Sequence, residues 1–124
     1  MKRRYSLKRN KEFRYVYRTG KSVACRSLVI VYRKNNTGLL HVGISVGKKI
    51  GGSVTRNLIK RRLRSAFDTL LPEVNPNYNM IVIARRPILE TAYAEICESF
   101  NYMLKKAGLL TTEQNNKIAD DKGD

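Results

Sequence analysis

Three short runs rich in β-branched residues alternate with three stretches whose apolar residues recur every three or four positions. This alternation restricts the fold more than any other feature of the chain. Residues 27–33 (SLVIVYR), 39–47 (LLHVGISVG) and 78–87 (YNMIVIARRP, centred on Ile81-Val82-Ile83) read as strands. Asn35–Gly38 (NNTG) is a turn signal, so the first two strands are expected to pair as a hairpin, and Gly43 marks a bulge or a close backbone approach. Around these strands the period changes. Asn10 caps a short helix through Arg18, with Phe13, Val16 and Tyr17 on one face and Gly20 as its stop. Gly51-Gly52-Ser53 opens a longer helix to about Leu71, with Val54, Leu58, Leu63, Ala66, Phe67 and Leu70 as its apolar stripe. Pro72 and Pro76 enclose a loop, and a last helix runs from about Thr91 to Ala107, closed by Gly108. Its buried stripe is Ala92, Tyr93, Ile96, Phe100, Met103 and Leu104.

The order α-β-β-α-β-α predicts an α/β (α+β) two-layer sandwich, with helices packed on a small sheet. Three strands leave edges to cover, so a fourth short strand is expected near Leu109–Leu110. At 124 residues the chain is long enough for one domain, placed at 1–110. Residues 1–9 are basic and expected to be extended, and the tail at 111–124 is polar and expected to fray.

Charge decides which partners such a sandwich can have. The chain carries 25 Lys and Arg against 10 Asp and Glu, a formal +15. The excess is uneven: residues 1–64 hold 19 basic side chains and one acid, Glu12, while residues 65–124 hold 6 basic and 9 acidic. A field of about +18 over one half concentrates polyanions and speeds their encounter. Nucleic acid is the first candidate partner and an anionic membrane the second; solubility alone needs no such asymmetry. No apolar run is long enough to cross a bilayer, and no apolar stretch follows the basic start Met1-Lys2-Arg3-Arg4-Tyr5, so the cytoplasm is the expected location.

An enzyme acting alone is poorly supported. Cys25 and Cys97 lack metal-ligand spacing and are expected to be buried free thiols. His41 is the only histidine and is assigned no catalysis. A hydrolytic nuclease needs paired carboxylates with metal, or histidines as acid and base, yet Glu12 is the only carboxylate before Asp68. No Walker or dinucleotide fingerprint is present.

The basic residues are concentrated on one helix. Lys48 and Lys49 precede the glycines, Arg56, Lys60 and Arg64 follow at four-residue intervals, and Arg61 and Arg62 widen the band. Like charges four apart weaken an isolated helix, and a bound polyanion relieves the repulsion. Gly51 and Gly52 let the backbone approach a ligand, first-turn N–H groups can bind phosphate, and Arg forks suit phosphate oxygens. Charge runs are often only solvated faces, but no acid interrupts this one. On the first helix, Phe13 and Tyr17 beside Arg14 and Arg18 suit splayed single-stranded bases, although aromatics at this spacing also serve as core anchors. Alternation puts Leu28, Ile30 and Tyr32 on one strand face and Val29, Val31 and Arg33 on the other. Tyr93 and Phe100 read as core. Lys105 and Lys106 read as solubilising a helix end, and Arg85 and Arg86 as the exit of a buried strand.

The stretch Gly47-Lys48-Lys49-Ile50-Gly51-Gly52-Ser53-Val54-Thr55-Arg56-Asn57-Leu58-Ile59-Lys60-Arg61-Arg62-Leu63-Arg64 resembles the protein subunit of bacterial ribonuclease P, with Arg56-Asn57, Lys60-Arg61 and Arg64 as the hallmark helix. The similarity also takes in Val42–Gly47, Lys11-Glu12-Phe13 and Ile83-Ala84-Arg85-Arg86-Pro87, covering about residues 5–110. It implies an α/β sandwich like a domain of ribosomal protein S5, with a left-handed βαβ crossover. It implies that Lys48, Lys49, Gly51, Gly52, Arg56, Asn57, Lys60, Arg61 and Arg64 bind a large catalytic RNA. Phe13, Arg14, Tyr17, Arg18, Arg33, Arg85 and Arg86 would bind the single-stranded 5′ leader of precursor tRNA. The implied reaction is hydrolysis at the 5′ end of the mature tRNA, with Mg²⁺ held mainly by the RNA, no cofactor on the protein and no obligate protein partner. Relatives often carry Asn-Ala where this chain has Gly52-Ser53, and some carry a leader-facing aromatic where it has Val31. The alternative is a ribosomal or ribosome-associated RNA-binding protein with no role in cleavage.

Overall fold

The computed structural model describes residues 10–111; the basic segment 1–9 and the tail beyond Thr111, for which extended and frayed chain was expected, lie outside the described residues. The helices are α1 (Asn10–Thr19), α2 (Ser53–Asp68) and α3 (Tyr93–Lys106), and the strands β1 (Lys21–Ala24), β2 (Leu28–Lys34), β3 (His41–Ser45) and β4 (Tyr78–Ala84). They form a four-stranded mixed sheet in the order β1-β2-β4-β3. β4 runs antiparallel to β2, from Leu28↔Ala84 to Lys34↔Tyr78, and parallel to β3, from His41↔Asn79 to Ser45↔Ile83. Helix α2 is thus the crossover between two parallel neighbours.

Two expectations about strands are corrected. β2 and β3 do not form a hairpin, because β4 inserts between them. The NNTG turn is real: Asn35 Oδ1 accepts from the N–H groups of Thr37 and Gly38, both at 3.1 Å, and Gly38 sits at φ 70°. It carries the chain past the start of β4, where the Asn35 N–H donates to the Asn77 carbonyl at 2.7 Å. The fourth strand is β1, the true hairpin partner of β2 (Lys21↔Tyr32 to Ala24↔Val29), whereas Leu110 makes an isolated bridge to Val74. β1 escapes a pattern search because only Val23 of its four residues is buried.

The register divides the sheet into two unlike faces. Leu28, Ile30, Met80, Val82 and Val42 point into the main core beneath α2 and α3, where Phe67 and Phe100 meet edge to face at 5.6 Å. Such a pair adds about 0.5–1.5 kcal/mol beyond its buried area. The other face carries a small second cluster in which Val16 of α1 covers Val31 and Ile81, with Phe13, Val29 and Ile83 around it. Gly43, paired with Ile81 in an unbroken register, is buried and marks no bulge. Gly20 ends α1 because nothing larger fits: a Cβ there would lie 2.7 Å from the carbonyl oxygens of both Val16 and Tyr32.

The helical stripes also shift. In α2 the buried residues are Ile59, Leu63, Ala66 and Phe67; Val54 is 83% exposed and Leu58 48%. A stripe centred on residues 59, 63, 66 and 67 places 54 and 58 on the far side, so the first turn of α2 rises clear of the core. In α3, Ile96, Phe100, Met103 and Leu104 are buried as expected, but Ala92 is the exposed residue before the helix. Tyr93 is turned outward, with its hydroxyl 2.8 Å from Ser65 Oγ. Cys25 and Cys97 are free and half-buried rather than buried, because each sits at the margin of the main core.

Candidate nucleic-acid interface

The basic band of α2 is built as the spacing requires, with one refinement. Asn57, Arg61, Arg62 and Arg64 are exposed. Arg56 and Lys60 are half-buried, and the Arg56 Nε is fully covered without a hydrogen-bond partner. The helix therefore presents a graded face, with Arg56 nearest the domain and Arg61 and Arg64 outermost. Gly52 precedes the first turn with no side-chain cap, so that turn carries no capping oxygen. The two glycines differ in role. Gly51 is closely packed: a Cβ there would lie 3.0 Å from Thr55 Cγ2 and 3.1 Å from Thr55 Cβ, so the Thr55 side chain would have to give way. Gly52 has open space and an ordinary φ of −71°.

Lys48 and Lys49 form a short exposed turn, Lys48–Ile50, anchored by buried Ile50. Beside it opens a shallow cavity of about 620 Å³ whose rim brings Lys48, Lys49 and Arg86 together and whose floor includes Ser45 and Ile83. Arg86 thus stands beside the entry of the basic band. Arg85 goes elsewhere: its guanidinium donates to the Cys25 carbonyl at 3.1 Å, across the β2–β4 end of the sheet.

On the opposite face of the sheet from α2 and α3, α1 offers a second set of groups. Phe13 is half-buried against the sheet, while Tyr17, one turn on, is 60% exposed. Arg14, Arg18 and Lys11 are exposed and join Tyr17 around a concavity of about 280 Å³. Beside α1 the sheet face continues through Ile81, Ile83, Gly43 and Ser45, as strand alternation requires. Val31 lies buried beneath α1, and Tyr32 turns to the core face, where its ring meets Tyr78 edge to face at 6.0 Å. Arg33 is held back from the groove: its guanidinium lies 4.8 Å from the Tyr15 ring centroid, with Nη1 3.4 Å from the Thr19 carbonyl. His41 is half-buried at the far end of β3.

Sequence reasoning missed Tyr15, Ser45 and Ile83 as individual site residues. Ile83 was findable, since it alternates with buried Val82 and Ala84; Ser45 joins it only through the register of β3 on β4. Tyr15 falls outside the apolar face of α1 and gains its role only from Arg33, which is distant in the chain. Among the described residues no group of three or more His, Cys, Asp or Glu could hold a metal ion, and no helix is long and apolar enough to cross a membrane.

A graded cationic helix and an aromatic, arginine-flanked groove on one α+β sheet define an RNA-binding protein. The sequence profile of the family Ribonuclease P matches residues 1–108. The chain is 45% identical over 116 residues to the ribonuclease P protein component of Oceanobacillus iheyensis, covering 93% of this chain and 96% of that one. Its fold is similar to that of the RNase P protein from Staphylococcus aureus, with a TM-score of 0.77 at 36% identity over 86% of this chain and 97% of the other. The Thermotoga maritima RNase P protein gives a TM-score of 0.72 at 26% identity, over 85% and 97%. The chain belongs to the family of ribonuclease P protein components. Membership makes it a protein component of a tRNA-processing enzyme and gives it an RNA partner; the ribosomal alternative is not favoured.

Proposed function

We propose that this chain is the positioning and electrostatic subunit of a ribonuclease whose chemistry is carried by RNA. In this reading the α2 band, with Lys48, Lys49, Gly51, Gly52, Arg56, Asn57, Lys60, Arg61 and Arg64, engages the catalytic RNA. The groove beside α1 holds the 5′ leader of precursor tRNA. Its wall is Phe13, Arg14, Tyr17 and Arg18, its floor the Ile81–Ile83 face, and Arg86 guards its end. Arg85 and Arg33 lie at the margins and act chiefly by long-range attraction, because each guanidinium is engaged within the chain. The observation that carries the reading is Tyr17: a large ring left mostly in water, one turn from a ring packed on the sheet and bordered by three exposed cations. That is a stacking platform with phosphate neutralisation at its edge.

The reaction is hydrolysis of the phosphodiester at the mature 5′ end, with Mg²⁺ held mainly by the RNA. The protein's own contribution is to offset phosphate repulsion between two RNAs and to fix the leader. The domain spans residues 1–110 and works in the cytoplasm, without an obligate protein partner. The test is 5′ maturation of precursor tRNA by the cognate catalytic RNA, with and without the protein, across a Mg²⁺ series. The expected result is cleavage at lower Mg²⁺ when the protein is present and none by the protein alone. Robust, site-specific cleavage by RNA-free protein, cleared of contaminating nuclease, would overturn it.

A further inference from the structure

The core face of the sheet ends in a site that the basic band does not use and that the leader-groove set touches only through Arg33. At the edge where β2 finishes and β4 begins, the register sets Lys21 opposite Tyr32 and Lys34 opposite Tyr78. All four side chains share one face by strand alternation. The helical layer stops short of them: α3 ends at Lys106, and Ala107 closes one side. What remains is a cavity of about 540 Å³, whose lining includes the two tyrosines, Lys21, Lys34, Arg33 and Ala107. That volume lies in the range of small-molecule sites. Among the described residues no acidic side chain lines it. Lys21 and Lys34 are exposed, and Tyr32 and Tyr78 are half-buried, so their rings are partly open to a ligand.

We propose that this cavity takes a single unpaired nucleotide of the catalytic RNA, its base against the Tyr32–Tyr78 pair and its phosphate between Lys21 and Lys34. The edge-to-face rings, 6.0 Å apart, present an apolar step on which any base can stack without base-specific hydrogen bonds. The two ammonium groups supply sequence-independent phosphate contacts. The cavity lies at the opposite end of β4 from Arg86 and Lys48; Thr19 and Gly20 at the end of α1 border it, but its tyrosine pair belongs to the sheet face opposite the one that α1 covers. A strand held in the leader groove does not reach it without turning the sheet edge, whereas a large folded RNA can offer a bulged nucleotide to a second side. The inference rests on the RNA-binding reading above.

Amine-acylation footprinting of the wild-type protein, free and bound to the catalytic RNA, separates the two claims. Lys21 and Lys34 should lose reactivity in the complex along with Lys60. If Lys60 is protected while Lys21 and Lys34 stay as reactive as in the free protein, the cavity proposal fails and the basic-band reading stands. If Lys60 also stays reactive, the RNA reading itself fails. A variant series then checks the chemistry. Lys21→Gln with Lys34→Gln should lower the salt slope of RNA binding by about two. Tyr78→Leu, shown folded by circular dichroism, should weaken binding by about five-fold or more with the slope unchanged, and Tyr78→Phe should bind as wild type. A folded Tyr78→Leu variant with unchanged affinity would overturn the stacked nucleotide.

Discussion

The two faces of one sheet are covered to very different extents. The face beneath α2 and α3 is sealed along its middle: Leu28, Ile30, Met80 and Val82 are fully buried, and Phe67 and Phe100 fill the space between the helices. The face beneath α1 is only partly covered, with Val16, Val31 and Ile81 as its buried cluster and Tyr17, one residue from Val16, mostly in water. The same β-branched strands serve both. What differs is how much helix lies over them. A short helix that covers half a sheet face leaves a wall, a floor and an open side, which is a groove. Stability should therefore reside in the covered middle of one face and leader recognition on the other.

The largest effect should come from breaking the sealed face. Phe100→Ala removes a ring with no exposure and its edge-to-face packing on Phe67. It should cost about 3–5 kcal/mol in denaturant unfolding. A loss below about 1 kcal/mol would show that this face is not the stabilising one. Next is the junction between α1 and β1. Gly20→Ala would push a methyl group within 2.7 Å of two carbonyl oxygens, so α1 must lift from β2. It should destabilise by about 1–3 kcal/mol, and because α1 forms the groove wall it should also weaken leader binding. If stability falls and discrimination between precursor and mature tRNA does not, the position of α1 is immaterial to the groove.

The basic band sharpens the contrast from outside. Replacing Arg56, Lys60 and Arg64 together with Gln should leave the circular dichroism spectrum unchanged. The salt slope of catalytic-RNA binding should fall by about one for each phosphate the band no longer neutralises. Arg56 is the member most able to disturb the fold, since its Nε is buried. Arg64→Gln alone, at an exposed position, provides the clean comparison. An unchanged slope for the triple variant would reduce the band to a solvated face.

Much of this division was legible in the sequence, and the omissions share a cause. Strand alternation assigned Leu28, Ile30 and Tyr32 to one face and Val29, Val31 and Arg33 to the other, as found. The two long helices, the basic band and the exposed arginines of α2 were also readable, because periodicity and charge are local properties. The pairing of β2 with β4 was not, because strand order depends on a crossover that no short-range turn encodes. Asn35–Gly38 made a turn as expected, but only the return of β4 decides what lies beside it. Val54 and Leu58 looked like core since they fit a helical stripe. Their exposure follows from where the core ends, which is a tertiary fact. The fates of Arg85 and Arg33 depend on carbonyl groups of Cys25 and Thr19, distant in the chain, so composition could place them near the site and not within it.

The measurement that bears most directly on the division of faces is the ratio of precursor to mature tRNA affinity for the assembled complex carrying Tyr17→Ala. Tyr17 is 60% exposed, so its removal should leave the melting temperature close to wild type. Precursor binding should weaken by roughly 1 kcal/mol or more, at the low end for one stacked base, while mature tRNA, which has no leader, binds almost as before. The ratio should therefore fall by about five-fold or more. A ratio that stays at the wild-type value, with the protein folded and bound to the catalytic RNA, would contradict the account and remove the open face of the sheet from leader recognition.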